Sequence, residues 1–130
     1  MVGRETGRLR LAVADHCDGA TLEAMVAESA GPGAAVNTDE WRGYAGLSRL
    51  GYTHRTVCHA GREWARDDDG DGVREVHDNT LEGIWTGLRN YLRTFRGVSK
   101  WYLHQYVAMF EWSYNVKRVC PEFIQALLNT

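Results

Sequence analysis

The alternation of apolar and polar residues divides the chain into strand and helix segments. Residues 8–14 (RLRLAVA) alternate at period two and then run apolar, which predicts a β-strand. Two short runs between turn residues, 34–38 (AAVNT) and 53–59 (THRTVCH), predict two further strands. Apolar positions at helical spacing predict helices between Thr21 and the Gly-Pro-Gly turn at 31–33, and at residues 44–50, 80–93, 99–116 and 121–128.

The helix boundaries carry capping signals. Thr21 is the predicted N-cap of the first helix, and Gly51 ends the short helix at 44–50. Asn79 or Thr80 is expected to cap the helix over residues 80–93, and Ser99 the one after it.

Strands and helices alternate along the first half of the chain, and this order is typical of an α/β domain. Crossover helices between strands favour a partly parallel sheet. Functional groups in such sheets lie at the carboxyl ends of the strands, and Asp39 directly follows the predicted strand at 34–38.

Composition excludes several classes of protein. The chain of 130 residues is the size of one domain, and its five Trp and six Tyr exclude a disordered chain. No apolar run of about 18 residues could span a membrane. The three cysteines are far apart and form no CxxC pair, which favours reduced thiols and a cytoplasmic location.

Charge is segregated along the chain, although the formal net charge is only -2. Residues 63–82 are strongly acidic, whereas the two predicted helices that follow are basic and rich in aromatic residues. Arg89, Arg93 and Arg96 share one helix face, and Lys100 follows them. A basic face of this kind suits a polyanion such as DNA; a solvated helix face over an aromatic core is the alternative.

Two sequence strings place carboxylates where a hard divalent cation could bind. TDEWRGY at residues 38–44 puts Asp39 at a strand end, and HDNTLEGIW at residues 77–85 puts Glu82 in the first turn of a helix. Carboxylate oxygens are the ligands that such cations prefer. Two bound ions can activate a water molecule and stabilise the leaving oxygen in phosphoryl transfer.

Together these strings resemble the catalytic domain of bacterial insertion-sequence transposases of the DDE type, over roughly residues 8–118. The resemblance implies a ribonuclease-H-like mixed sheet flanked by helices, and a bacterial or archaeal cytoplasm. It implies Asp39 and Glu82 as catalytic ligands of Mg²⁺ (or Mn²⁺), with His77 and Asn79 near the site. It also implies Arg89 as a contact to DNA phosphate, joined by Arg93, Arg96 and Lys100.

Each of these residues also has a structural interpretation. Asp39 could cap the turn at residues 41–44, and Glu82 could form a capping box with Asn79. Arg89 could be a solvated surface residue. Trp41 and Trp85 are expected to pack in the core rather than to stack on bases.

One part of the family pattern has no counterpart in this sequence. The family's first carboxylate lies on a central first strand, whereas here residues 3–7 already resemble the hairpin turn that joins the family's second and third strands. We therefore expect residues 1–118 to form a partial catalytic domain without the central strand, followed by a short tail at 119–130. Cleavage by this chain alone should be absent or very weak. DNA is the expected partner, and the full-length protein could form a homo-oligomer.

Two other functions remain open on the sequence. The first is a non-catalytic remnant that binds DNA or another protein through the basic aromatic helices. The second is a calcium site, because residues 67–72 (DDDGDG) place oxygens at loop positions 1, 3 and 5 and a glycine at position 6, as in an EF-hand. Asp78 in place of the usual Glu at position 12 weakens this calcium hypothesis.

Overall fold

The computed structural model describes residues 1–58, 65–67, 70, 76–77, 79–116 and 121–128. Its elements confirm the α/β class. In chain order they are α1 (Gly19–Ser29), β1 (Ala35–Asp39), a 3-10 helix (Arg42–Tyr44), β2 (Thr53–Val57), β3 (Ala65–Arg66), β4 (Val76–His77), α2 (Asn79–Arg93), α3 (Leu103–Asn115) and α4 (Pro121–Leu128).

β1 and β2 form the parallel pair that the sequence predicts, in a register from Ala35 opposite Thr53 to Asp39 opposite Val57. The connection between them passes through the 3-10 helix and ends at Gly51, whose φ of +86° suits a residue without a Cβ. A small core of Val26, Val36 and Leu47 joins α1 to this unit. The packing fixes where the carboxyl end of β1 lies.

β3 and β4 pair antiparallel within a segment that the sequence predicts to be a polar loop. This pairing needs only backbone hydrogen bonds, so the polarity of the side chains does not prevent it. Among the described residues β1–β2 and β3–β4 are two separate two-stranded sheets, rather than the single mixed sheet that the resemblance implies.

The pairing also bears on the calcium hypothesis for residues 67–72. An EF-hand loop is entered from a helix, whereas here the strand β3 leads directly into it. Asp67 Oδ1 accepts a hydrogen bond from the backbone N–H of Gly70 at 2.6 Å. Residues 68–69, 71–75 and 78 lie outside the described part of the chain, and calcium binding stays a prediction.

The predicted strand at residues 8–14 is wrong. Leu9 forms an isolated antiparallel bridge with Val2, and the segment after it is irregular. Backbone N–H groups of Gly3 and Arg10 donate to the carbonyls of Arg8 and Met1 at 2.9 and 2.8 Å. The first residues therefore do form the expected hairpin turn.

Side chains of α3 replace the neighbouring strand that residues 9–11 would need. The Asn115 side chain accepts from the Leu9 N–H at 2.7 Å and donates to the Leu9 carbonyl at 2.9 Å. The Glu111 carboxylate accepts from the Leu11 N–H at 2.6 Å and pairs with the Arg10 guanidinium at 3.1 Å. Because these groups satisfy the backbone, the segment needs no sheet partner.

The short helix predicted at residues 44–50 is instead a 3-10 helix at Arg42–Tyr44 followed by turns, and two of the α-helices start elsewhere than predicted. Asp18, not Thr21, caps α1: its Oδ1 accepts from the Thr21 N–H at 2.9 Å, and this hydrogen bond lowers the pKa of Asp18. α3 begins at Leu103, because residues 99–102 form a turn in which the Tyr102 N–H donates to the Ser99 carbonyl at 3.0 Å. α2 begins at Asn79, so the capping position falls on residue 78, outside the described residues.

α2 and α3 pack against each other through aromatic rings. Tyr91 lies 5.1 Å from Phe95 and 5.6 Å from Phe110, and Phe95 lies 4.7 Å from Tyr106, measured between ring centroids. A Cβ on Gly87 would lie 3.4 Å from the Phe110 ring, so a small residue lets the helices approach. No helix in the described ranges is long and apolar enough to cross a membrane.

Candidate functional site

Asp39 is the last residue of β1 and is half-buried at the carboxyl end of the strand. Its Oδ1 accepts a hydrogen bond from the backbone N–H of Trp41 at 3.2 Å, which holds the turn into the 3-10 helix. Asp39 thus caps the turn at residues 41–44, which is the structural role that its sequence position also suggested. It is compatible with ligand binding, because a carboxylate offers further lone pairs.

A buried contact between the two parallel strands supports this strand end. The Thr38 hydroxyl donates to the Asp39 carbonyl at 2.8 Å and lies 2.8 Å from Nε2 of His54 on β2. Because the single hydroxyl proton goes to the carbonyl, His54 donates from Nε2 to the Thr38 oxygen. Burial lowers the pKa of His54, which favours the neutral ring.

A cavity of about 520 Å³ connects the end of β1 with the first turns of α2. Asn37, Thr38 and Asp39 line one side of it, and Thr80, Leu81 and Trp85 line the other. This is where the sequence strings at residues 38–44 and 77–85 come together in space.

Glu82 is in the first turn of α2 and is exposed, next to the cavity but not in its lining. The rotation of α2 explains this position, because Ile84 and Leu88 are buried and fix the face turned to the core. Glu82 projects about 140° from that face and shares its side of the helix with Arg89.

The described residues do not by themselves fit a metal ion. They contain no group of three His, Cys, Asp or Glu residues close enough to hold one. A hard cation in a protein takes several oxygen ligands, and Asp39 and Glu82 supply two carboxylates at most. The backbone places His77 in β4 and Asn79 at the first position of α2.

The three arginines on α2 and its C-terminal turn line a second, shallow cavity of about 500 Å³ that is wide open to solvent. Arg89, Arg93 and Arg96 line it with Gly97 and Leu103, and all three arginines are exposed. Within the part of the chain that the structure describes, none of them lies within ion-pair distance of a carboxylate. We call this cavity the arginine groove.

Backbone geometry at the end of α2 shapes the arginine groove. Arg96 has a φ of +53°, and Gly97 follows with a φ of +134°. A positive φ is unfavourable for a residue with a Cβ, so this conformation of Arg96 is strained. The two positive φ angles turn the chain towards α3, and Arg96 lines the same surface as Arg89 and Arg93.

Lys100 and Trp101 follow in the turn before α3. The Lys100 ammonium lies 4.8 Å from the centroid of the Trp101 ring, within range of a cation–π contact. The predicted DNA-contacting residues therefore lie along the α2–α3 connection, while the predicted metal ligands lie at the other end of α2.

Two tryptophans are more exposed than their sequence context suggests. Trp41 and Trp85, which we expected in the core, are 47% and 50% exposed. Ile84 and Leu88 occupy the core-facing side of α2, so Trp85 is left to line the first cavity.

Glu111 and Asn115 form a functional pair that the sequence pattern did not predict. These residues bind the backbone at Leu9 and Leu11, and both line the cavity between the N-terminal segment and α3. A signal existed, because the two polar residues are four apart in a helix otherwise rich in aromatic and apolar residues. Periodicity alone did not show which partner they bind.

Comparison with known proteins gives one match. The model of the ISXO2-like transposase domain family matches residues 1–115. No curated protein and no solved structure matches the chain. The match covers both strings that border the first cavity, and most of the chain. The chain therefore belongs to the ISXO2-like transposase domain family.

Proposed function

We propose that the chain is the DNA-processing domain of an insertion-sequence transposase, with a ribonuclease-H-like arrangement of strands and helices. The observation that supports this best is the cavity shared by Asp39 at the end of β1 and the first turn of α2. Oxygen ligands at two such positions suit the binding of a divalent cation beside a DNA phosphate. DNA is the proposed partner, in the cytoplasm of a bacterium or archaeon, and self-association into a homo-oligomer is part of the proposal.

Asp39 and Glu82 are the proposed carboxylate ligands of Mg²⁺ or Mn²⁺, with His77 and Asn79 near them. Bound there, the cation would polarise a phosphodiester and acidify a water molecule. Two carboxylates do not complete such a site, so no cleavage step is assigned to these residues alone. We expect this chain to bind DNA and to cleave it very weakly or not at all.

The arginine groove and Lys100 are the proposed contacts to DNA phosphates. Their four cations are exposed and lack a nearby carboxylate among the described residues, so binding phosphate would not require breaking an ion pair. Each phosphate contact releases counterions, which makes the affinity fall with salt.

Fluorescence anisotropy of a labelled duplex in a salt series tests this binding. Arg93→Ala should lower the affinity and reduce the slope of log K against log salt by about 0.9, the value for one lost phosphate contact. Arg49→Ala removes an exposed arginine before Gly51, away from the groove, and is the matched control. An unchanged slope for Arg93→Ala would contradict the assignment.

Metal-dependent nicking with Mg²⁺ or Mn²⁺, however weak, would favour the catalytic proposal over the second candidate, a non-catalytic DNA-binding remnant; no nicking is expected both from the remnant and from an incomplete metal site. That candidate is favoured by the same arginine groove, which needs no metal. Any metal-dependent nicking should be lost in Asp39→Asn and in Glu82→Gln, with DNA affinity retained. Robust nicking that survives both substitutions would refute the proposed ligands.

A further inference from the structure

Trp101 presents an unusually exposed aromatic surface. It is 73% exposed, in the turn between α2 and α3, while the interface of these helices is filled by other rings, including Phe95 and Tyr106. A large indole in water contributes little to the core, and exposed aromatic surface often marks a binding site. Packing between the helices therefore gives no reason for a tryptophan here.

A positive charge lies beside this ring. The Lys100 ammonium lies 4.8 Å from the ring centroid, and Leu103, two residues further along the chain, lines the arginine groove. An aromatic surface beside a cationic groove is the combination that binds single-stranded nucleic acid. The groove attracts the phosphates, and the ring offers a face on which a base can stack.

We propose that Trp101 and the arginine groove form a binding site for unpaired nucleotides of a single DNA strand. The base stacks on Trp101, and the flanking phosphates bind Arg93, Arg96 and Lys100. Bases within a duplex are covered by their neighbours, so only an unstacked base can use the ring. This inference rests on the proposed function, because it specifies which form of DNA the same basic surface binds.

The test compares two labelled probes, an oligodeoxythymidylate and a blunt duplex, in anisotropy titrations of the 130-residue chain. Trp101→Ala should weaken binding of the oligodeoxythymidylate by about 5-fold to 150-fold, the range for one lost base–aromatic stack. Binding of the duplex should change less than about 2-fold, since no base stacks there. Trp101→Phe should restore most of the single-strand affinity, because a phenyl ring still stacks.

Trp112→Ala is the matched control. Trp112 is 54% exposed on α3, but it lines a different cavity beside Glu111. Its loss should leave the affinity for both probes unchanged. A stacking contact should also quench the fluorescence of the wild-type protein on addition of the oligodeoxythymidylate, and this quenching should shrink in Trp101→Phe.

The outcomes separate the two proposals. If neither probe binds at low salt, the proposed function fails. If the duplex binds but Trp101→Ala leaves the single-strand affinity unchanged, the DNA-binding proposal stands and the base-stacking site is refuted. A thermal melt of Trp101→Ala checks that the fold is retained, and equal loss of both probes with an intact fold would also refute the site.

Discussion

The hydrogen bonds between Asn115 and Leu9 give a prediction whose size can be worked from the geometry. In the hairpin, the hydrogen bonds that flank the pair Val2–Leu9 join Gly3 to Arg8 and Arg10 to Met1. The N–H and carbonyl of Leu9 therefore point away from Val2. The Asn115 amide binds both the N–H and the carbonyl of Leu9, at 2.7 and 2.9 Å. It thus takes the place of a neighbouring strand.

Asn115→Ala removes both partners at once. A typical hydrogen bond contributes about 0.5–1.5 kcal/mol net, and a dry unsatisfied group costs about 1–3 kcal/mol. The Leu9 side chain is fully buried, but Asn115 borders an open cavity of about 510 Å³ through which water can reach the freed groups. We therefore expect each freed group to cost about 1 kcal/mol, the lower end of that range, so that the unfolding free energy falls by about 2 kcal/mol in total.

Urea unfolding followed by far-UV circular dichroism measures this loss. With a slope of about 2 kcal/mol per molar urea, the midpoint should fall by about 1 M. Asn115→Asp should be destabilised as well, since an ionised carboxylate accepts from the Leu9 N–H but repels the Leu9 carbonyl. Hydrogen exchange at the Leu9 amide should accelerate in both variants, because the hairpin is held less firmly.

Ser113→Ala is the control on the same helix. The Ser113 hydroxyl is exposed and donates only to the Phe110 carbonyl at 2.9 Å, so its loss should cost less than about 0.5 kcal/mol. If Asn115→Ala shifts the urea midpoint no more than Ser113→Ala does, the Asn115 side chain does not hold the hairpin and the reasoning is refuted.

Three further predictions concern single side chains. Burial lowers the pKa of His54 below its ordinary 6.5, so the unfolded chain binds a proton more tightly than the folded chain does. The free energy of unfolding is therefore undiminished by this group above pH 6.5 and decreases below it. In His54→Gln, urea unfolding at several pH values should show a smaller decrease of the unfolding free energy below pH 6.5 than in the wild type. An identical pH dependence in the two proteins would contradict this role of His54. The Tyr91 hydroxyl is buried with no hydrogen-bond partner among the described residues, so Tyr91→Phe should keep or raise the unfolding free energy by up to about 1 kcal/mol; a clear loss would contradict this. Arg96→Gly relieves a φ of +53° and should leave the thermal midpoint unchanged or higher while weakening DNA binding; a lower midpoint would oppose it.

The sequence predicted the local elements well where one physical signal dominated. Short apolar runs gave β1 and β2, and the amphipathic spacing gave α2 with Arg89 and Arg93 on one face, whereas Arg96, predicted on the same helix face, lies in the turn after the helix. Gly51 marked the turn before β2, because glycine adopts the positive φ of +86° found there without a steric penalty. These features depend on residues close together in the chain, so they can be inferred before the fold is known.

Contacts between distant residues could not be inferred in this way. The period-two pattern at residues 8–14 is that of a strand, yet side chains from α3, about a hundred residues later, bind this backbone instead of a sheet. The signal for a strand is one of side-chain polarity, whereas the choice of hydrogen-bond partner depends on which element lies alongside.

The sequence by itself determined the α/β class, the family strings and the segregation of charge. Only the tertiary structure decided how these parts face one another. Burial of Ile84 and Leu88 sets the rotation of α2, which places Trp85 in the cavity with Asp39 and leaves Glu82 beside it. The filled helix interface leaves Trp101 in water next to the arginine groove. Such orientations follow from the sum of many packing contacts, which no short stretch of sequence contains.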